Sequence, residues 1–273
     1  MKPLLIYFVL AYFISWFIWS PLYLPKLGIT SLPVLPYQHY LGSFGPAIAA
    51  FVVTYSLNGK QGITDLIRRI FGWRVNWLWY AVVVMATLGV CLLAILLVKF
   101  TGQEKVTLKG FGTSNEFPHL SVAGYFLLNL FTFGFGEEIG WRGFVLPLSQ
   151  NKYKAFFATL FLTIGWACWH LPAFLYRPSY SSMNVVGAIE FFMSLFTGSV
   201  LLTWLYNSTK GSIFLVALFH AFVEIIFMSK NITPTISAYE GAIITVLAIS
   251  IIVYFKPKNL SKNQRQVLKW QYL

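Results

Sequence analysis

Long apolar stretches separated by short polar or basic ones dominate the chain. Runs of about 20 apolar residues, the length that crosses a bilayer as a helix, fall near 4–24, 42–57, 76–98, 120–146, 154–176, 184–206, 211–229 and 236–255. Eight membrane helices are therefore predicted, the second being short and Gly-rich. The first run is too long for a secretory signal and ends in Trp19, Pro21, Tyr23 and Pro25 without a small-residue cleavage site, so it reads as a retained helix. Between the second and third spans, Gly62–Trp73 alternates apolar and basic residues at helical spacing. That pattern predicts a short amphipathic helix on the headgroups.

Composition agrees with the pattern. Of 273 residues 58% are hydrophobic and only 10% charged, against about 25% charged in a soluble domain. The expected architecture is an all-α, polytopic membrane helix bundle forming one domain over 1–273, with no internal repeat or linker. Lys and Arg outnumber Asp and Glu by 20 to 8. The excess sits between apolar runs and in the tail 256–273, which points to anionic lipid rather than nucleic acid. An even number of spans puts both chain ends on one side. Thirteen basic residues fall on that side and six on the other, with Arg142 left inside a span. The positive-inside rule then predicts cytoplasmic termini in a cell membrane. Cys91 and Cys168 lie inside apolar runs and suggest no disulfide framework.

The acidic residues change the picture. Five of the eight, Glu137, Glu138, Glu190, Glu224 and Glu240, lie in predicted spans, as do Arg142, His170 and His220. Each ionisable side chain in hydrocarbon costs roughly 2.5–3.5 kcal/mol on insertion scales, so each needs a partner or a task. Glu138 and Arg142 are i,i+4 neighbours and can pair, while Glu137, turned about 100° away, is left for other work. Gly136 and Gly140 form a small-xxx-small face for close helix approach. His170 precedes Pro172, which frees a backbone carbonyl and bends the helix. Cys168 and His170, two apart, project to opposite faces and cannot serve one metal ion. His220 and Glu224 share a helical face and can hydrogen-bond. Glu190 and Glu240 have no helical partner, and either is expected to line a cavity or to sit near a helix end.

Depth brings three of these together. Glu137 lies 15 positions before Lys152, His170 16 after Lys154 and His220 10 after Lys210, which at 1.5 Å per residue gives ~15–24 Å from one face. One Glu and two His suit general acid–base work on water, and equally a zinc set of Glu137, His170 and His220 with an open fourth position. Intramembrane Glu and His are also proton-relay material, as in a proton-coupled carrier, although no inverted repeat is present.

Glu137-Glu138-x-x-x-Arg142, an aromatic four residues before His170, and His220 with a polar residue four further on resemble the EExxxR, FxxxH and HxxxN/D motifs of the CPBP family, the CAAX prenyl endopeptidases and their Abi or bacteriocin-immunity relatives. The likeness covers roughly 120–230, and Gly45-Pro46-Ala47 is also similar. The resemblance implies an intramembrane endopeptidase that cuts a membrane-associated, CAAX-like peptide without a metal. In it Glu137 and His170 activate water, and His220 with the residue at 224 stabilises the oxyanion. A non-catalytic immunity or scaffold protein of the same fold is the alternative. Two positions depart from the family pattern: Trp166 replaces Phe, and Glu224 replaces Asn or Asp. An ionised Glu224 cannot donate to an oxyanion. It is expected either to stay protonated or to hold His220 as an imidazolium.

Overall fold

The computed structural model describes residues 2–29 and 32–268, and among these every regular element is helical. Helix α1 (Lys2–Tyr23) leads through a loop and short α2 (Gln38–Gly42) to α3 (Gly45–Ile70) and α4 (Leu78–Thr101). A composite segment follows: α5 (Val122–Asn129), a π-type stretch Leu130–Glu137, α6 (Glu138–Gly140), a second π-type stretch Trp141–Val145, and α7 (Leu146–Lys152). Then come α8 (Ala155–Trp169), the short α9 (Ala173–Tyr176) and α10 (Pro178–Ser181), α11 (Val185–Ser208), α12 (Ile213–Phe227) and α13 (Pro234–Asn259).

Five helical segments among the described residues are long and apolar enough to cross a bilayer: Lys2–Leu27, Gln38–Ile70, Leu78–Thr101, Val185–Ser208 and Pro234–Asn259. Their outer faces carry Leu5, Phe13, Phe17, Leu92, Val246 and Val253, all exposed, as a lipid-facing surface requires. The protein is a polytopic helical membrane protein. The other predicted spans are built differently from expectation. Helices α8 and α12 have 15 residues each, about 22 Å of rise against a hydrocarbon core of about 30 Å. Pro172 lacks an N–H and helps end α8, while the Ser212 hydroxyl caps α12 at Leu215 N (3.2 Å). Helix α12 is an inner element, packed against α3, α4, α5, α11 and the π-type stretches, whereas α8 packs against α7, α11 and α13 and turns Phe157, Phe161 and Ile164 outward.

Gly59 divides α3. Its backbone (φ 53°, ψ −145°) leaves the helical region, which glycine tolerates without a Cβ clash. The part before it spans; the part after it is the predicted amphipathic helix. Arg69 on that surface helix donates to Asp65 (3.0 Å), to the Gly143 carbonyl (2.6 Å) and to the Tyr206 hydroxyl (3.1 Å), tying it to the bundle.

The connections collect at two ends. One holds the 59–77 segment, the α7–α8 and α11–α12 turns and the chain beyond α13. The other holds the α1–α2, α4–α5 and α8–α11 connections and the α12–α13 turn, cross-linked by Lys230 N to Thr113 O (2.9 Å) and by the Arg177–Glu116 ion pair (2.9 Å). The basic tail does not simply lie on lipid. Gln150 donates to Gln266 O (2.7 Å), Arg265 to Gln150 O (2.8 Å) and Asn263 to Ser208 O (2.8 Å), so the backbone after α13 is fastened to α7 and α11. Lys269, counted in the tail's charge, lies outside the described residues.

The small-residue face is used as expected. A Cβ added at Gly136 would meet Ser43 O at 2.9 Å, and one at Gly140 would meet Pro46 Cβ at 2.6 Å and overlap the Tyr7 hydroxyl. Gly140→Ala is therefore expected to destabilise the fold by about 1–3 kcal/mol, the usual cost of overpacking. A lower melting temperature in detergent checks this; an unchanged one would mean that α1 and α3 can give way.

Candidate active site

Four glycines, Gly134, Gly136, Gly140 and Gly143, fall in the 16 residues 130–145, where the composite segment widens into π-type turns. Such turns often mark functional sites because they re-aim side chains that regular spacing would misplace. Here they surround Glu137, Glu138 and Arg142, all buried.

Glu138 and Arg142 are both fully buried and paired, Arg142 Nη1 donating to Glu138 Oε1 at 2.9 Å. Arg142 Nη2 donates to Ser199 Oγ on α11 (2.9 Å), and its guanidinium lies 4.8 Å from the Trp166 ring centre. Glu138 Oε1 accepts a second bond, from His220 Nδ1 at 2.8 Å. The His220–Glu224 pairing suggested by spacing is looser: His220 Nε2 and Glu224 Oε1 are 3.8 Å apart, beyond hydrogen-bond reach. The carboxylate that orients His220 is thus Glu138, from another helix. With the acceptor-only Glu138 carboxylate on Nδ1, the Nδ1 proton is fixed and Nε2 is turned toward Glu224.

His170 is oriented by the backbone. The last turn of α8 tightens, His170 N bonding Ala167 O (3.1 Å) and Leu171 N bonding Cys168 O (3.2 Å). This leaves the Trp166 carbonyl without its helical donor, and His170 Nδ1 takes that role at 2.8 Å. A carbonyl accepts only, so Nδ1 carries the proton and Nε2 keeps its lone pair.

Glu137 has no Lys or Arg within ion-pair distance among the described residues. Its Oε2 accepts from Trp166 Nε1 at 2.8 Å. Trp166 is also 5.9 Å, centre to centre, from the His170 ring and 5.8 Å from that of His220. One indole therefore touches or adjoins Glu137, His170, His220 and Arg142. The Phe expected at this position from the motif could pack there but could not donate to Glu137.

Glu137, His170, His220 and Glu224 all line one cavity of about 430 Å³. Its walls include apolar residues of α11, α12 and α13, among them Phe191, Leu202, Phe227 and Ile244. It extends to Arg177, Ser179 and Tyr180, at the end of the bundle opposite the chain termini. Glu240, set apart in the sequence, is buried (2% exposed) and lines the same cavity, whereas Glu190 is exposed on α11. His39 also lines it, with Nδ1 2.6 Å from the Tyr176 hydroxyl. Neither His39 nor Arg177 has a motif or helical partner in the sequence, so only the packing of distant loops reveals them.

Among the described residues no three His, Cys, Asp or Glu side chains gather closely enough to hold a metal ion, those of Glu137, His170 and His220 included. Cys91 and Cys168 are both free thiols.

Two comparisons with known proteins bear on this geometry. Residues 119–226 match the family model described as type II CAAX prenyl endopeptidase Rce1-like. The chain is also 27% identical over 264 residues to CAAX prenyl protease 2 of Methanococcus maripaludis, an alignment covering 92% of this chain and 93% of that protein. The likeness read from the three motifs is borne out.

Proposed function

We propose that this Rce1-like membrane protein is an intramembrane endopeptidase that hydrolyses a peptide bond near the end of a membrane-associated, lipid-bearing peptide. The observation that carries the reading is the Trp166 indole, hydrogen-bonded to Glu137 and adjoining both imidazoles on the wall of one cavity. The apolar walls suit a prenyl-type chain, the substrate class in the name of the relative. The polar cluster suits the bond to be cut.

In the proposed reaction a water held between Glu137 and His170 attacks the scissile carbonyl. Glu137, without a cation to hold it as a spectator, takes the proton, and the unprotonated Nε2 of His170 accepts the second hydrogen bond of that water. His220 polarises the carbonyl oxygen from its Nε2 side as an imidazolium, with Glu138 on Nδ1 compensating the charge. The tetrahedral intermediate collapses as the C–N bond breaks, and the proton taken from water passes to the leaving amine. Water's hydroxyl ends on the new carboxylate and its proton on the new amine. No step runs through a metal.

Glu224 has a definite consequence in this scheme. It lies 3.8 Å from His220 Nε2 and strengthens the imidazolium, but it offers the oxyanion no donor. Glu224→Asn is expected to be at least as active as the native chain, and Glu224→Leu to lose about tenfold, below the roughly 10²–10³-fold cost of deleting an oxyanion donor outright. Steady-state rates on a prenylated peptide measure both; a more active Leu variant would contradict this role.

Orientation follows from charge. The basic excess holds both termini in the cytoplasm of a cell membrane and turns the Ser179 end of the cavity to the opposite face, with lateral entry from lipid for the apolar part of a substrate. In a chain with Cys91 and Cys168 replaced by Ser, Ser179→Cys is expected to react with an impermeant thiol reagent on intact cells. Labelling only after lysis would invert the topology.

The deciding experiment is cleavage of prenylated and unprenylated forms of one peptide by purified protein, with Glu137→Gln as control. Cleavage of the prenylated form alone, lost in the variant, is the expected result. Equal products from both proteins would return the chain to a scaffold, immunity or carrier role.

A further inference from the structure

At the end of the bundle that carries the chain termini lies a second cavity, of about 440 Å³, between the surface half of α3, the start of α4 and the α11–α12 turn. Arg68, Arg69, Arg74 and Lys210 line it, together with Ser208, Thr209 and Ser212, and no carboxylate is among its walls. The nearest acid on this helix, Asp65, is already engaged by Arg69 Nε at 3.0 Å.

Four cations around one hollow repel one another unless an anion sits among them. Arg68, Arg74 and Lys210 are exposed, and by themselves would read as a solvated basic face. Arg69 is different. Its side chain is only 14% exposed, and its Nη2 is buried with no hydrogen-bond partner. Its bonds to Asp65, to the Gly143 carbonyl and to the Tyr206 hydroxyl hold its charge in place at the cavity wall, a preorganised cation that an anion in the cavity would offset. Two further features suit an anion. The turn carries Lys210 and Gly211 with positive φ (55° and 87°). It leads directly into α12, whose first N–H groups and helix dipole favour negative charge beside Ser212.

We propose that this cavity is a binding site for a phosphate group, distinct from the active-site cavity and independent of the endopeptidase reading. Guanidinium groups match phosphate oxygens in pairs, and basic pockets between membrane helices are suited to phosphate-bearing headgroups. Exposed Trp73 and Trp77 flank the site (53% and 71% exposed), side chains that favour the headgroup layer. The ligand is thus presented either by an anionic phospholipid or by a soluble phosphate.

Native mass spectrometry of the full-length protein in a nonionic detergent tests this, using phosphatidylglycerol, phosphatidylcholine and inorganic phosphate as probes. The native chain is expected to retain phosphatidylglycerol over phosphatidylcholine. Arg68→Gln/Arg74→Gln/Lys210→Gln, which leaves the structural Arg69 in place, is expected to weaken that retention at least tenfold. Lys256→Gln/Lys258→Gln/Lys262→Gln removes the same charge at the same end but outside the cavity, and is expected to bind as the native chain does. Should the triple variant fold poorly, Lys210→Gln alone is expected to lose two- to threefold. Retention of inorganic phosphate that is lost in the cavity variants, without lipid selectivity, keeps the site and assigns it to a soluble anion. Equal losses in both triple variants, or no difference of either from the native chain, overturn the proposal.

Discussion

Glu137→Gln is expected to lower kcat on a cleavable peptide by roughly 10²–10⁴-fold, the range for removing a positioned general base, with little change in folding. The amide keeps the size of the carboxyl group and an oxygen able to accept the Trp166 indole N–H, which native Oε2 receives at 2.8 Å. What is lost is only the ability to take a proton. The pairing of a large rate effect with an unchanged melting temperature is therefore the informative result. KM is expected to change little, since the apolar walls that hold the substrate are intact. A variant that cleaves normally would show that the carboxylate does not act on water. One that melts far below the native protein would mean that Glu137 belongs to the packing instead.

Arg142→Met is expected to have the opposite signature, a loss of folded protein. Arg142 and Glu138 are completely buried, and the same Glu138 oxygen serves His220. Removing the guanidinium strands a carboxylate in the protein interior, at a cost of about 3–5 kcal/mol for breaking a buried pair. It also removes the Ser199 contact and the cation over Trp166. The double variant Glu138→Gln/Arg142→Met is expected to regain much of the stability, because neither member of the pair is left charged without the other, but little of the activity, because His220 loses its ionic partner. Melting temperature and folded yield in detergent separate the two. If the single variant is as stable as the native chain, or if the double variant is less stable than the single, the pair is not held in place by charge.

The bundle was legible from its apolar runs because hydrocarbon permits little else: length and lack of charge identify a span whatever it packs against. The amphipathic stretch after Gly59 was legible for the same reason, its period matching a helix with one wet face. The end of α8 was not: its apolar run continues past Trp169 to Tyr176, and what stops the helix is a proline acting with tertiary packing, which an apolar-run count ignores. In the site, Glu138–Arg142 followed from i,i+4 spacing. The Glu138–His220 contact joins residues 82 apart, and no periodicity reports that. The π-type turns around Glu137 were equally hidden, although four closely spaced glycines hinted at unusual backbone there. Glu240 appeared isolated because its own helix gives it no partner; its place on the cavity wall comes from α13 closing against α4 and α11.

The two imidazoles owe their proton positions to different kinds of anchor. For His170 the acceptor is a peptide carbonyl, present whatever amino acid stands at 166, so mutation of a neighbouring side chain cannot directly delete it. For His220 the acceptor is the carboxylate of Glu138, which a single codon change can remove. Over evolutionary time the first tautomer is inherited with the fold, while the second is open to selection. Descendants of this scaffold that lose catalysis would most readily do so by way of His220.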